Sequence, residues 1–338
     1  MRAIGYQASL PISDPASLQD IELPRPEPTG HDLLVRVEAV SVNPVDTKVR
    51  KRAQPEPGQW KVLGWDAVGT VEATGSEASL FRPGDAVFYA GALGRPGTDA
   101  EYHLVDERIV GRKPASLSVA EAAALPLTAI TAWEALFDRL DVRKPVPGAA
   151  NTILIIGGAG GVGSIATQLA RQLTDLTVIT TASRPETTAW SRELGAHHVV
   201  DHARPLAGEI EQLGLGQPAF VFSTTNTDAH LAEIVKLIAP QGRFALIDDP
   251  AALDVLPFKQ KSVSIHWELM FTRSMFGTAD LTEQGRLLNE VSRLVDAGTI
   301  RSTFAQSFGL ISAANLRRAH ELIESGRAKG KIVLEGWA

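Results

Sequence analysis

The run ILIIGGAGGVGSIATQLARQL, residues 153–173, places Gly158, Gly160 and Gly163 in a G-x-G-x-x-G spacing. In such a turn one glycine permits a sharp reversal, one lets backbone approach a pyrophosphate, and one allows a helix to pack closely on a strand. Ahead of them Ile153, Leu154, Ile155 and Ile156 read as a parallel strand buried on both faces. Behind them Val162, Ile165, Ala166, Leu169 and Leu173 recur at helical spacing. The N–H groups of Gly161, Val162 and Gly163 would then open a helix whose positive end suits phosphate. Among 29 glycines in 338 residues the spacing alone has little force, and a purely structural turn is the alternative; strand and helix in the right order favour a dinucleotide site.

The next strand, LTVITTASRP (176–185), tests which dinucleotide. An NAD-preferring fold places an acid at this tip to hold the ribose 2′-hydroxyl. Here the tip carries Ser183 and Arg184, a hydroxyl donor and a guanidinium matched to phosphate oxygens, while Glu186 falls just past the usual acidic position. NADPH is therefore expected over NADH, with a solvated surface arginine as the plainer reading of Arg184. Ser223 and Thr224 end a further strand, PAFVFSTT, at the carboxyl edge where open α/β sheets bind ligands, and Asn226 follows them.

The elements that would position these residues alternate strand and helix from about residue 151 onward, through LTVITTA, AHHVVDH, PAFVFSTT and GRFALI, which predicts a doubly wound parallel sheet. The first 120 residues differ. Leu33, Val35, Val37 and Ala39 alternate with Arg36 and Glu38 in a half-buried strand, and VGTVEATG (68–75), DAVFYA (85–90) and AEYHLV (100–105) follow between glycine and proline turns. Residues 119–140 read as a helical crossover. The C-terminal helices and GKIVLEGW are too short for a separate domain, so the tail is expected to complete the first one.

Composition narrows the partners. A net charge of −6 without a basic run argues against nucleic acid and anionic membrane as partners. No unbroken apolar segment of about 18 residues and no secretory h-region are legible, so the cytoplasm is the expected compartment. The chain has no cysteine, which excludes disulfides, thiolate chemistry and zinc sites built on sulfur. His197, His198, Asp201 and His202 form a dense cluster, but on a strand they divide between two faces and do not converge on a metal. The apolar segment SVSIHWELM, if it forms a sheet edge, is expected to be covered by a second copy, giving a homodimer.

Together with the glycine turn, the segments SVNPVDTKVR, VLGWDAVGTVEATGS, FRPGDAVFY and GRAKGKIVL resemble the medium-chain dehydrogenase/reductase superfamily over essentially the whole chain. AGGVGSIATQLAR and VNPVD resemble its quinone oxidoreductase branch, including relatives labelled zinc-type alcohol dehydrogenase-like. The resemblance implies an α/β fold: a GroES-like β-rich catalytic domain from residues 1–124 and 272–338, and a Rossmann NADP-binding domain over 125–271. It also places the zinc branch's Cys and His ligands at Asn43 and within Gly64-Trp65-Asp66. Oxygens from Asn43 and Asp66 do not make a closed N/S site, so no metal is expected.

By the same resemblance Asn43 and Asp46 lie near the nicotinamide, Asn43 donating to the substrate oxygen and Asp46 fixing the turn. Thr128 matches a position touching the nicotinamide ribose, and Lys331 one close to the cofactor, although a lysine opening a last strand is often only solvated. His202 stands where a tyrosine contacts the 2′-phosphate end, and Trp65 either walls the pocket or packs in the core. Without a Lewis acid, hydride from NADPH is expected to reach a quinone or an α,β-unsaturated carbonyl, acceptors that delocalise the developing charge. A metal-free alcohol or aldehyde dehydrogenase and a non-catalytic NADPH-binding protein are the alternatives.

Overall fold

A computed structural model describes residues 1–337. Contacts divide the chain into two units: Met1–Ile130 with the tail from Phe271 onward, and Thr131–Met270.

In the first unit strand Asp32–Val42 is central. It pairs antiparallel with Asp66–Thr74 on one side and with Lys331–Glu335, from the end of the chain, on the other. Strands Ala86–Ala90 and Val110–Arg112 extend the sheet beyond Asp66–Thr74, while Phe304–Ser307 flanks Lys331–Glu335. Tyr102–Asp106 pairs with the early half of the central strand. Leu33, Val35 and Val37 are buried and Arg36 is exposed as the alternation expects, but Leu34 is buried as well, and Ala39, Val40, Ser41 and Val42 are all buried. Two register shifts, at Leu34/Val35 and Val37/Ala39, accompany that departure. The tail thus supplies a strand, and its register sets Ile332 opposite Val42 while Ser41 faces Asp66 across the other edge.

The second unit is a six-stranded, all-parallel sheet. Its order is His198–Val200, Thr177–Thr181, Ala150–Ile156, Pro218–Ser223, Arg243–Leu246 and Ser264–Trp267, the doubly wound arrangement. Strand Ala150–Ile156 sits centrally, and Ile153, Leu154, Ile155 and Ile156 are each at most 1% exposed. Full burial of one such aliphatic side chain contributes roughly 1.5–3 kcal/mol. Helix Gly161–Leu173 buries Ile165, Ala166, Leu169 and Ala170, while Val162 and Leu173 stay half-exposed.

The crossover over residues 119–139 is apolar and long enough by composition to span a bilayer, yet 83% of its apolar window is buried inside the protein, as for a core helix. It is not one regular helix: Val119–Ala123 and Pro126–Trp133 are α-helical and Glu134–Arg139 widens to a π-turn.

Candidate functional site

The glycine turn of the second unit uses each glycine differently. Gly157, not Gly158, takes the left-handed conformation that reverses the chain, at φ +85°, and a Cβ there would lie 2.5 Å from Thr224 Oγ1. Gly158 runs close under the neighbouring strand, where a Cβ would meet Thr180 Cβ at 2.5 Å. Gly160 caps helix Gly161–Leu173 and faces open space on one side, its nearest obstacle to a Cβ being Gly157 O at 3.4 Å. At Gly163 a Cβ would lie 2.2 Å from that same carbonyl, so the helix's first turn can rest on the loop only without a side chain. The N–H groups of Gly161, Val162 and Gly163 have no carbonyl one turn back within the helix, which leaves them as donors for an anion.

A polar relay braces this turn. Gly157 N donates to Thr181 Oγ1 at 3.0 Å, and Thr181 Oγ1 lies 3.1 Å from His202 Nδ1. The Thr181 oxygen can accept from both Gly157 N and an Nδ1–H, or accept from Gly157 and donate to Nδ1, so either His202 tautomer completes the relay. Burial pushes the His202 pKa down, against the pull of Asp201 and with Arg184 adding to the effect. Ser183 is exposed, and Arg184 starts helix Pro185–Glu193 with its Nε 3.1 Å from Glu186 Oε1. That half-exposed pair is worth at most about 1 kcal/mol, little hindrance to a phosphate.

Other candidates turn inward. Ser223 is fully buried, with its Oγ 2.8 Å from Thr227 Oγ1, which in turn bonds Asp248. Thr224 Oγ1 donates to Ile156 O at 2.8 Å, and exposed Asn226 takes a left-handed conformation. His197 Nδ1 accepts from Val178 N at 2.9 Å, and Asp201 accepts from Ala203 N, each serving local backbone.

The first unit contains a closed knot of buried polar groups. Pro44 starts helix Pro44–Arg52, capped by Asn43, and Asp46 accepts from Asn43 N at 2.5 Å and from Gly64 N at 3.1 Å. Asn43 Nδ2 donates to Asp66 Oδ2 at 2.8 Å and to Ser41 O at 3.3 Å. Both amide hydrogens are thus in use, and donation to a substrate oxygen requires one of these bonds to break. Lys331 Nζ reaches Asp66 Oδ2 at 3.0 Å, Val42 O at 3.1 Å, and Asn43 Oδ1. The remaining Asp66 oxygen accepts from Leu127 N at 2.7 Å, at the head of the helix that carries Thr128.

Lys331 is only 3% exposed, so the solvated lysine considered from sequence is not what forms. Thr128 is buried and donates to Leu125 O at 3.1 Å. Trp65 is a core aromatic, edge-on to Phe271 at 6.0 Å, with its indole N–H unpartnered. Burial pushes the Asp46 carboxyl up to about 7 against the pull of its backbone donors and Lys331. Asp99, beside Gly64, is raised well above the carboxylate range by burial and by Asp46. Gly157, Thr181 and Asp99 were not singled out by sequence; only Gly157 had a signal, as the first of a glycine pair closing an apolar strand.

The zinc expected of the wider family does not fit this knot. Protein zinc sites combine thiolate, imidazole and carboxylate donors, and here one carboxylate stands with an amide and an ammonium, with no thiolate or imidazole beside it. Asp66 already accepts from Asn43, Leu127 and Lys331, the last of these a cation.

Two family models match: alcohol dehydrogenase GroES-like domain over residues 29–115, and zinc-binding dehydrogenase over 194–334. A zinc-type alcohol dehydrogenase-like protein of Staphylococcus aureus (strain MSSA476) is 40% identical across 99% of both chains. The quinone oxidoreductase of Pseudomonas aeruginosa is 31% identical over 91% of this chain and 92% of its own. A candidate zinc-dependent alcohol dehydrogenase from Rhizobium etli CFN 42, solved by crystallography, superposes with TM-score 0.98 at 68% identity, covering 100% of this chain and 98% of that one. Fold, glycine turn and sequence relatives agree: the chain is an oxidoreductase of the medium-chain dehydrogenase/reductase superfamily, in its quinone oxidoreductase branch.

Proposed function

We propose that this protein is a zinc-independent, NADPH-dependent reductase of quinones or α,β-unsaturated carbonyls. The observation that carries the reading is the pairing of Lys331 with Asp66, which fills with an ammonium the acid that a metal would need. Supporting it, a mycobacterial structure complexed with NADPH is 26% identical with TM-score 0.82, and the Pseudomonas relative is named a quinone oxidoreductase.

NADPH, when bound, supplies the hydride. The backbone donors of Gly161, Val162 and Gly163 would hold its pyrophosphate, Gly160 admitting close approach while Gly158 lets the turn lie against Thr180. Ser183, Arg184 and His202 would hold the 2′-phosphate, Arg184 exchanging Glu186 for a stronger charged partner. Thr224 shapes the loop beside the turn, and Ser223 supports that loop from within. Asn43 and Asp46 hold the turn at the head of helix Pro44–Arg52, tied to Lys331 through Asn43 Oδ1. Acceptors that spread the incoming charge over a conjugated system need no metal, and the product takes its proton from solvent.

The edge strand Ser264–Trp267, with Trp267 53% exposed and Leu269 just past its end 49% exposed, suits pairing with a second copy in a cytoplasmic homodimer. Light scattering that returned the mass of one chain would remove that part.

The test is NADPH oxidation with 9,10-phenanthrenequinone, 1,4-naphthoquinone and 2-cyclohexenone in excess chelator. Turnover is expected with at least one of these acceptors. Turnover that appears only after zinc is added, or rapid alcohol-dependent reduction of NADP with inertness to all three acceptors, sinks the proposal.

A further inference from the structure

We infer that Lys331 is the resident cation of the catalytic unit: its ammonium does permanently, and covalently tethered, the positioning that a bound metal ion would do among Val42, Asn43 and Asp66. The inference deepens the metal-independent reading above and rests on it.

Counting donors and acceptors decides what Lys331 can do. An ammonium has three N–H bonds, and three acceptors surround this one: Val42 O at 3.1 Å, Asp66 Oδ2 at 3.0 Å, and Asn43 Oδ1. No hydrogen is left over for a substrate, so Lys331 is a positioning residue and not an acid. Its neighbours are equally committed. Asp66 receives Asn43 Nδ2 and Leu127 N besides the lysine, and Asn43 donates its second hydrogen to Ser41 O.

Those bonds join four parts of the chain that are far apart in sequence: the end of the central strand with Asn43, the start of Asp66–Thr74, the head of helix Pro126–Trp133, and the first residue of the last strand. Removing the ammonium would leave three oxygens around a hole and an uncompensated buried carboxylate. An oxygen-only set of this kind suits a small ammonium ion or a hard divalent ion, and suits zinc poorly.

The prediction is therefore a latent cation site, closed in the native chain and opened by Lys331→Ala. Purified native protein should contain well under one zinc per chain, and its melting temperature should not move with methylammonium, Mg²⁺ or Zn²⁺. Lys331→Ala should melt on the order of 10 °C lower. Methylammonium or Mg²⁺ should restore most of that loss and raise kcat, and the response should vanish when Asp66→Asn is added. If the alanine variant does not fold, Lys331→Met combined with Asp66→Asn should melt higher than Lys331→Met alone.

Stoichiometric zinc in the native protein that disappears in Asp66→Asn would overturn the inference. So would a Lys331→Ala variant blind to every cation, or a double variant whose losses simply add. The melting readout does not involve the acceptor. A native enzyme inert to quinones and enones would defeat the proposed function while leaving the cation test intact, and quinone turnover with a cation-blind variant would do the reverse.

Discussion

Lys331 and Asp66, separated by 265 residues in sequence, meet at 3.0 Å inside the first unit with almost no solvent around either. A pair so deeply buried adds little net stability over an apolar replacement, but losing one member leaves a bare charge. Asp66→Ala should therefore cost about 3–5 kcal/mol in urea unfolding monitored by tryptophan fluorescence. A loss below about 1 kcal/mol would show that solvent already reaches the lysine.

Asp46 gives the stability a pH dependence. Its carboxyl, raised by burial to about 7, holds its proton more tightly folded than unfolded. As pH rises above the ordinary carboxylate value the unfolded chain ionises first, so the contribution of Asp46 is full below about pH 4, falls through the interval up to 7, and then levels. Subtracting the curve of Asp46→Asn from that of the native protein should isolate a decline of at most about 1.4 kcal/mol per pH unit. A difference curve that is flat over this range, or that rises, would contradict the assignment.

The two glycines flanking the helix start should separate stability from binding. At Gly163 a Cβ meets Gly157 O at 2.2 Å, so Gly163→Ala should lower the melting temperature by several degrees and weaken NADPH together. Gly160 has ordinary backbone angles, φ −72° and ψ 173°, and room for a methyl group. Gly160→Ala should melt within about a degree of the native protein and, in the proposed reading, show its cost in NADPH titration, since this glycine is proposed to admit the pyrophosphate. Equal melting losses in both variants would mean that the turn's glycines are structural only.

Arg184 governs cofactor choice in the proposed reading. Arg184→Ala removes a guanidinium from a 2′-phosphate but from nothing on NADH, so NADPH should weaken about tenfold or more beyond any change for NADH, as measured by fluorescence titration. Parallel losses for both cofactors would return Arg184 to its partner Glu186 as a surface pair.

The dinucleotide half was legible because its signals are local. Four branched residues, a glycine turn and a helical stripe occupy one contiguous stretch of 21 residues, and each constrains its neighbours through backbone geometry alone. Even there the reversing glycine is Gly157, one residue before the motif's first position, because the strand runs its full length to Ile156 before the chain turns. Ser223 illustrates the limit: its place at the carboxyl end of a strand set it at the ligand edge, and the side chain turned instead to Thr227.

The first unit was legible only as a set of residue types. Composition alone removed sulfur ligands, and the absence of a histidine from Gly64-Trp65-Asp66 removed the imidazole, because covalent identity needs no fold to be known. What Lys331 does was decided by register. The last strand pairs Ile332 with Val42 while Asp66 pairs with Ser41, and only that pairing, set by long-range packing of the tail against the central strand, brings an ammonium, an amide and a carboxylate into one dry knot.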